Sequence, residues 1–313
     1  MLTEQKIKIL SVNISTKKGT VKLPVEKIVL NDLGVEGDAH AGEWHRQISL
    51  LGIESFNRFK EMARRDINFG EFAENITTQG IELVNTKPGD RFIGTDLDLE
   101  VTQIGKACHG DSCAIYREVG NCVMPKEGIF CRVLRHGMLK AGDELTFHPK
   151  IYKIQVITLS DRASRGVYED KSGPEVVRLI SEYFDTLKWQ FTVESTIIPD
   201  DEELLRVNLA KAKEENYDLL ITTGGTGIGP RDITPDVARQ MIDKEIPGIM
   251  EMIRVKYGSE KPNALLSRSV AGIMGETFVY TLPGSVKAVK EYMEEITKTL
   301  KHLFIMRMGI DGH

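Results

Sequence analysis

The second half of the chain alternates between short apolar runs and longer amphipathic stretches. Runs rich in β-branched residues predict strands at 153–159, 191–198, 218–223 and 277–282. Apolar residues at helical spacing predict helices at 174–187, 201–215, 235–243, 248–257 and 285–303. Strands that alternate with helices are typical of a parallel sheet. The pattern therefore predicts an α/β domain with a mostly parallel sheet covered by helices on both faces.

The first half of the chain has a different rhythm. Short alternating runs such as 27–30 are separated by Gly, Asn and Asp, which is typical of strands joined by turns. The segments 87–90 and 140–143 are turn signals before further short strands. One helix is expected near 53–65. The first half is therefore predicted to be mainly β.

The change of rhythm near residue 150 suggests a domain boundary, and 313 residues are enough for two domains. The sequence predicts domains at 1–149 and 150–313. Hydrophobic residues make up 41% and charged residues 28%, which is ordinary globular usage and excludes a chain disordered throughout. The net charge of −5 gives the chain no general attraction to nucleic acid.

Neither a membrane span nor a signal peptide is visible in the sequence. No uncharged apolar run reaches the roughly 20 residues that cross a bilayer, and the N-terminus is charged from the start. We therefore expect a cytoplasmic protein without membrane association. The cysteines show no Cys-x-x-Cys pair and no common zinc spacing, which favours reduced thiols. They are Cys108, Cys113, Cys122 and Cys131.

Polar and glycine-rich segments follow each predicted strand of the second half. They are 160–166, 199–201, 224–232 and 283–285. Because open parallel sheets bind ligands beyond the carboxyl ends of their strands, we expect these four loops to line one edge of the sheet. Together they carry glycine backbone, hydroxyls, arginine and carboxylates. This combination suits a phosphorylated ligand accompanied by a metal ion.

The loop 224–232, with the sequence GGTGIGPRD, gives the strongest single indication of a binding site. Its glycines allow backbone N–H groups to approach an anion, and a helix that starts at Pro235 adds the positive end of its dipole. The loop is neither a Walker A motif nor a dinucleotide fingerprint. A tight strand–helix turn is the alternative interpretation. Arg231 and Asp232 directly behind the glycines favour a binding loop.

Several of these polar residues also have structural interpretations. Asp200 precedes a predicted helix with a capping-box-like pattern, and the residue pattern alone favours an N-cap there. Ser172 is likewise interpreted as a cap of the first helix in this half. Asp161 and Asp170 suit turns. Arg268 suits either the surface or a phosphate clamp.

These loops occur in the order found in a known family. Residues 152–306 resemble the molybdopterin adenylyltransferase domain of the MogA/MoaB type. The matching segments are LSDRASRGVYEDK at 159–171, IPD at 198–200, TGGTG at 223–227, RDITPD at 231–236, LSR at 266–268 and LPG at 282–284. In this family the functional carboxylates match Asp200 and Asp232. The resemblance therefore outweighs the capping interpretation of Asp200.

The resemblance implies a reaction that joins molybdopterin to AMP from ATP and releases pyrophosphate. Asp200 and Asp232 are then the catalytic carboxylates, and both are expected to hold Mg²⁺. Such a reaction relies on positioning and charge neutralisation, without a covalent enzyme intermediate. The residues expected to bind the two substrates are Asp161, Gly224, Gly225, Thr226, Gly227, Arg231, Ser267, Arg268, Pro283, Gly284 and Ser285.

A second series of segments spans residues 7–148. It comprises EGDAHAG at 36–42, RQISL at 46–50, GEFAENIT at 70–77, GD at 89–90, RVLRHG at 132–137 and GD at 142–143. This series resembles the MOSC domain, the C-terminal domain family of molybdenum-cofactor sulfurases. The resemblance implies a barrel-like β domain that binds molybdenum cofactor or carries sulfur on a cysteine thiolate. The matching catalytic residue is Cys113, and Cys108 is the second choice.

The leading hypothesis is a two-domain enzyme of molybdenum-cofactor biosynthesis. The second domain would adenylylate molybdopterin, and the first would bind, carry or sulfurate the cofactor. One alternative is a molybdopterin carrier without turnover. Another is a sulfurtransferase that uses Cys113 and has the second half as a docking module. Family resemblance suggests a homotrimer, with small-molecule substrates and a molybdenum-insertion protein or molybdoenzyme as partners.

Overall fold

In the computed structural model, residues 3–63, 66–107 and 122–310 are described. They form two compact units. The first ends at Lys150 and includes Met308, and the second runs from Ile151 to Arg307. Within the first unit, the backbone carbonyl of Met308 accepts a hydrogen bond of 2.7 Å from the guanidinium of Arg132. Met308 thus belongs to the first unit. The domain bounds 1–149 and 150–313 stay a prediction.

The first unit is built mainly from short strands, as its alternating pattern predicts. The strands are β1 (Gln5–Ile14), β2 (Leu23–Pro24), β3 (Lys27–Asn31), β4 (Gly34–Val35), β5 (Ile48–Gly52), β6 (Ile76–Gln79), β7 (Arg91–Ile93), β8 (Asp98–Ile104), β9 (Ile129–Arg135), β10 (Gly137–Lys140) and β11 (Glu144–His148). The described helices are α1 (Ile53–Ala63) and α2 (Met124–Glu127), with a 3₁₀ turn at Leu83–Asn85.

Seven of these strands close into a barrel. Their order is β11–β7–β8–β9–β5–β6–β1, and antiparallel pairing of β1 with β11 closes the ring. In β1, Ile7 and Ile9 point into the core, while Lys6 and Lys8 between and beside them face solvent. Closure gives each of these seven strands two neighbours, which removes exposed sheet edges from the ring. The predicted mainly β, barrel-like first domain is confirmed.

The second unit alternates strands with helices. Its strands are β12 (Ile151–Leu159), β13 (Gln190–Ile198), β14 (Leu219–Thr223), β15 (Lys244–Glu245), β16 (Ala271–Met274) and β17 (Thr277–Leu282). Its helices are α3 (Asp161–Ser164), α4 (Ser172–Leu187), α5 (Glu202–Glu214), α6 (Thr234–Met241), α7 (Pro247–Gly258) and α8 (Val286–Arg307), with a 3₁₀ segment at Pro262–Leu266. The predicted α/β class of this domain is confirmed.

The six strands of the second unit form one sheet in the order β13–β12–β14–β17–β16–β15. The first four strands run parallel to one another, and β17 pairs antiparallel with β16. The last two strands pair antiparallel. Every residue of β14 and β17 is buried, because a central parallel strand is covered on both faces. This topology places the carboxyl ends of β13, β12, β14 and β17 side by side.

Helices pack against both faces of this sheet. On one face, Phe278 of β17 contacts Phe304 of α8. The adjacent residue Val279 belongs instead to the core cluster that contains Leu209 of α5, because successive side chains of a strand point to opposite faces. In the described part of the chain, the structure contains no helix with the length and apolar character needed to cross a membrane.

Candidate active site

The loops that follow the four parallel strands of the second unit line a cavity of about 1000 Å³. The cavity brings together residues from distant parts of the sequence, because parallel strands end at the same edge of the sheet. Twelve residues assigned to the site from the sequence line it. They are Asp161, Asp200, Gly224, Gly225, Thr226, Gly227, Arg231, Asp232, Ser267, Pro283, Gly284 and Ser285.

The glycine loop after β14 has a backbone that only glycine adopts easily. Gly224 and Gly225 have φ angles of 103° and 62°. A Cβ on Gly224 would clash with the carbonyl oxygen of Leu159 in the neighbouring strand. Thr234, the first residue of α6, closes the loop by donating its hydroxyl to Gly224 O at 2.9 Å and its N–H to Gly225 O at 3.1 Å. The glycines are therefore required by this close approach of the backbone.

Two hydrogen bonds join Asp161, which follows β12, to Asp200, which follows β13. The N–H of Asp161 donates to Asp200 Oδ2 at 3.0 Å, and the N–H of Asp200 donates to Asp161 Oδ1 at 3.2 Å. The guanidinium of Arg231 forms a bidentate pair with the Asp161 carboxylate, with Nη2–Oδ1 at 2.8 Å and Nε–Oδ2 at 3.1 Å. Three strand-end loops are thus joined at one point on the cavity wall.

The two carboxylates differ in their electrostatic surroundings. Hydrogen bonds from Arg231 hold the pKa of Asp161 below its ordinary value. Burial raises the pKa of Asp200, and the negative charges of Asp161 and Asp232 add to that rise. A bound cation would relieve this crowding of negative charge.

The expected helix caps lie on different residues. The N-cap of α5 is Asp201, whose Oδ1 accepts a hydrogen bond of 2.9 Å from Leu204 N. The capping interpretation of Asp200 is therefore wrong, because the helix begins one residue later than that interpretation requires. Ser172 does not cap α4 either. It is the first residue of that helix, and Asp170 Oδ1 accepts its N–H at 2.9 Å.

Asp200 and Asp232 supply a pair of carboxylates that fits Mg²⁺ bound together with a phosphate. Within the described residues, no group of three or more His, Cys, Asp or Glu side chains is placed to hold a metal ion. Mg²⁺ usually binds through one or two carboxylates plus waters and substrate phosphates, so two carboxylates beside a glycine loop suffice. Asp232 Oδ2 also accepts Gly229 N at 2.8 Å, which fixes this carboxylate against the loop.

Arg268 is the one residue assigned to this cavity from the sequence that does not line it. Its guanidinium contacts the backbone of the glycine loop and the Asp236 carboxylate. Ser267 does line the cavity and accepts a hydrogen bond of 3.0 Å from the Tyr292 hydroxyl. Ser285 Oγ accepts Ala288 N at 3.2 Å at the start of α8.

Sequence reasoning missed the wall of the cavity formed by helices. Tyr257 of α7, Asn263 of the 3₁₀ segment, and Glu291 and Tyr292 of α8 all line it. Glu291 pairs with Lys261 at 2.7 Å. Tyr257, Glu291 and Tyr292 lie inside predicted amphipathic helices, where a tyrosine or a glutamate has the pattern of an ordinary helix position. Only the fold shows that this side of the helices faces a cavity.

The first unit contains a smaller pocket of about 410 Å³. His40, Arg46 and Lys106 line it, together with the aromatic rings of Trp44 and Phe130. The Arg46 guanidinium lies 4.7 Å from the centre of the Trp44 ring. Among the described residues that line this pocket, none is acidic. A pocket with cationic side chains and no acidic one has the electrostatic character of an anion site.

The cysteines of the first unit fall into two groups. Cys113 and Cys108, the expected catalytic thiols, lie outside the described residues. Cys122 and Cys131, which lie within the described residues, are buried. Burial raises the pKa of the Cys131 thiol well above its ordinary value, so this thiol stays un-ionised and unreactive.

A glycine-rich loop, two carboxylates and an arginine at the strand ends of an α/β sheet are typical of proteins that bind phosphorylated ligands. Comparison with known proteins specifies the class. Residues 155–302 match the family described as "Probable molybdopterin binding domain", and residues 37–146 match the MOSC domain family.

Two relatives that are 36% identical to this chain agree with this assignment. Molybdopterin adenylyltransferase of Helicobacter pylori (strain J99) is 36% identical over 158 residues, which cover 50% of this chain and 88% of that protein. Molybdopterin adenylyltransferase of Escherichia coli (strain K12) is 36% identical over 145 residues, which cover 46% and 73%. The solved structure of the tungsten cofactor synthesizing protein MoaB from Pyrococcus furiosus is 38% identical, with coverage of 50% and 96% and a TM-score of 0.44.

The chain therefore belongs to the MogA/MoaB-type family of molybdenum-cofactor biosynthesis proteins through its second half, and it carries a MOSC domain in its first half. Both family assignments made from the sequence are confirmed.

Proposed function

We propose that the second unit transfers the adenylyl group of ATP to molybdopterin. The observation that carries this proposal is the single cavity in which the glycine loop, Asp200, Asp232 and Arg231 meet. A terminal phosphate oxygen of molybdopterin forms a bond to the α-phosphorus of ATP. The bond from that phosphorus to the bridging oxygen breaks, and pyrophosphate leaves. The relatives named molybdopterin adenylyltransferase support the same reaction.

The proposed roles follow from chemistry and position. Backbone N–H groups of 224–227 would bind phosphate oxygens. Asp200 and Asp232 would hold Mg²⁺, which supplies charge neutralisation for the phosphates when it is bound with ATP. Asp161 would keep Asp200 and Arg231 in place, and Arg231 would face the phosphates. The remaining wall would orient the pterin or a phosphate through Ser267, Pro283, Gly284 and Ser285.

The test measures pyrophosphate release from Mg-ATP with and without molybdopterin. Wild type is compared with Asp232→Asn, which keeps the shape of the side chain but removes its charge. Asp185→Asn, an exposed position on α4 that does not line the cavity, is the matched control. Release that requires both molybdopterin and the Asp232 carboxylate would support the transferase. Wild-type release in Asp232→Asn would contradict the proposed carboxylate role.

The alternative of a carrier without turnover predicts bound molybdopterin and no pyrophosphate release in the wild type. Asp200 and Asp232 line the same cavity, and the negative charge of Asp232 adds to the raised pKa of Asp200, which argues against a carrier. Two carboxylates that crowd each other are costly to keep in a site that holds only a phosphorylated ligand, unless a metal ion also binds.

We also propose that the first unit binds the maturing cofactor. Its pocket carries Arg46, Lys106 and His40, which suit the phosphate of a pterin ligand, and the exposed ring of Trp44 offers a planar surface. Calorimetric titration with pyrophosphate, a probe that requires no pterin, should detect two binding sites, because the glycine loop of the second unit is also proposed to bind phosphates, and Arg46→Gln should weaken binding at one of them. Equal binding in Arg46→Gln would remove this pocket from consideration.

The role of Cys113 stays a prediction. A sulfurtransferase predicts that Cys113→Ser abolishes sulfur transfer while pyrophosphate release continues unchanged. Tethering the two domains, proposed at 1–149 and 150–313, would raise the effective concentration of the cofactor at the second site. A homotrimer, a cytoplasmic location and delivery to a molybdenum-insertion protein or molybdoenzyme are proposals that rest on family resemblance.

A further inference from the structure

Arg268 points its guanidinium at the glycine loop. Nε donates to Gly227 O at 2.7 Å, and Nη2 donates to the backbone carbonyl of Asp232. Nη1 pairs with both carboxylate oxygens of Asp236 at 2.8 Å. Asp236 lies in the first turn of α6. The planar guanidinium of Arg268 thus connects Gly227 and Asp232, which are the two ends of the loop tip 227–232, to helix α6.

The same loop tip carries the Asp232 carboxylate. Asp232 Oδ2 accepts Gly229 N at 2.8 Å, and a Cβ at Gly227 would lie 2.7 Å from that oxygen. Ile228 in the tip is 74% exposed, so the tip is surrounded by solvent and gains little from packing. A segment with few buried apolar contacts opens easily. The hydrogen bonds from Arg268 therefore supply a restraint that packing does not.

We propose that Arg268 is a positioning residue, which fixes Asp232 for adenylyl transfer without touching either substrate. The inference rests on the proposed function. Arginine suits this role because its planar fork presents three nitrogens in fixed geometry, whereas lysine presents a single point charge. Displacement of a positioned group by about 1 Å costs about 100-fold in rate.

Steady-state kinetics separate this role from a direct phosphate clamp. The variants are Arg268→Lys and Arg268→Ala, with Arg239→Ala as the matched control. Arg239 is a half-exposed arginine on α6 that pairs with Glu245 at 3.7 Å. We expect kcat of both Arg268 variants to fall by about 100-fold, while KM for ATP and for molybdopterin changes by less than about threefold.

Guanidinium ion added to Arg268→Ala should restore part of kcat, and ammonium ion at the same concentration should restore none. A raised KM for one substrate at unchanged kcat would identify Arg268 as a direct ligand contact and overturn the proposal. Wild-type kinetics in both variants would overturn it as well.

Hydrogen–deuterium exchange provides a readout that needs no turnover. Amides of 224–236 should exchange at least about tenfold faster in Arg268→Lys than in wild type, while amides of β14 keep their rates. Asp236→Asn retains both bonds from Arg268 to the loop carbonyls, so a smaller increase is expected. This variant and Arg268→Lys carry the test if Arg268→Ala does not fold.

If the amides of 224–236 exchange at the same rate in Arg268→Lys as in wild type, Arg268 is not a positioning residue for this loop. If wild type releases no pyrophosphate, the adenylyl-transfer proposal fails. The exchange data would then still decide whether Arg268 holds the loop, so the two failures are distinguishable.

Discussion

Each unit contains a network of charged side chains, and the two networks differ in their exposure to solvent. In the second unit, charges lie at the open edge of a sheet, and the side chains of Asp161 and Arg231 are 30% and 62% exposed. In the first unit, Lys22 and Asp38 form an ion pair of 2.7 Å in which each side chain is only 1% exposed. A parallel sheet collects polar groups where its strands end, and ligands can reach them there. The ion pair of Lys22 and Asp38 in the first unit is instead enclosed by protein.

Burial changes the pKa values of the charged groups in the first unit. Burial lowers the pKa of Lys22, against the attraction of Asp38. Burial also opposes the charged form of Asp38, yet hydrogen bonds from His40 and Lys22 outweigh it and hold the pKa of Asp38 well below its usual range. Asp38 Oδ2 accepts Asn75 Nδ2 as well, at 3.1 Å. Charges this well satisfied support the fold, whereas exposed charges are free to reorient toward a ligand.

The largest effect is expected from Lys22→Met, which leaves Asp38 buried without its partner. Removing one member of a buried ion pair costs about 3–5 kcal/mol of the free energy of unfolding. Lys8→Met, at an exposed position of β1, is the matched control and should cost little. Pyrophosphate release by the second unit should stay at the wild-type level.

Unfolding of the first unit can be followed separately, because the chain has two tryptophans and only Trp44 lies in that unit. Urea titration monitored by Trp44 fluorescence in a Trp189→Phe background gives the free energy. If Lys22→Met destabilises the first unit no more than Lys8→Met does, the enclosed network has no structural role.

A change of pH is expected to have an intermediate effect on the free energy of unfolding of the first unit, through Asp90. Burial raises the pKa of Asp90 to about 6, although backbone N–H groups of Lys150 and Lys87 donate to its carboxylate. Folding then favours the protonated form, so the contribution of Asp90 to stability is full below pH 4 and is lost as the pH rises through 6. A shift of about two pKa units corresponds to at most about 3 kcal/mol.

Asp90→Asn removes this titration. Asparagine replaces one oxygen of the carboxyl group with an NH2 group, which cannot accept from Lys87 N or Lys150 N as either oxygen of the protonated acid does, so the variant should be less stable than wild type at pH 4. The difference in unfolding free energy should narrow between pH 4 and pH 7.5. A difference that is constant over that range would show that Asp90 does not titrate in this window.

The smallest effect on stability is expected at two adjacent aspartates of the second unit. Asp201→Ala removes the N-cap of α5 and should cost about 1 kcal/mol while pyrophosphate release continues. Asp200→Ala loses the hydrogen bond from Asp161 N but also removes a carboxylate that lies among like charges, so the stability should change little, and pyrophosphate release should be abolished. Thermal unfolding and pyrophosphate release of both variants provide the comparison. Loss of release in Asp201→Ala alone would reverse the assignment.

Much of the second unit was predictable because its signals are local. Every predicted strand from 153–159 to 277–282 and every predicted helix of that half is present with shifts of a few residues at the ends. The glycine loop was also predictable, since positive φ at Gly224 and Gly225 is a property of the loop itself. The cap of α5 was not, because adjacent aspartates carry the same local signal and only the exact helix start separates them.

The sequence by itself determined the two domain classes, their families and the set of loops that line the cavity, since these depend on short-range patterns and on the rule that parallel strands end together. Tertiary structure alone decided which groups meet across long separations. It turned Arg268 from the cavity toward the loop carbonyls, enclosed Lys22 with Asp38, and closed β1 onto β11. Such partnerships depend on side-chain direction and register, which no local pattern in one chain encodes.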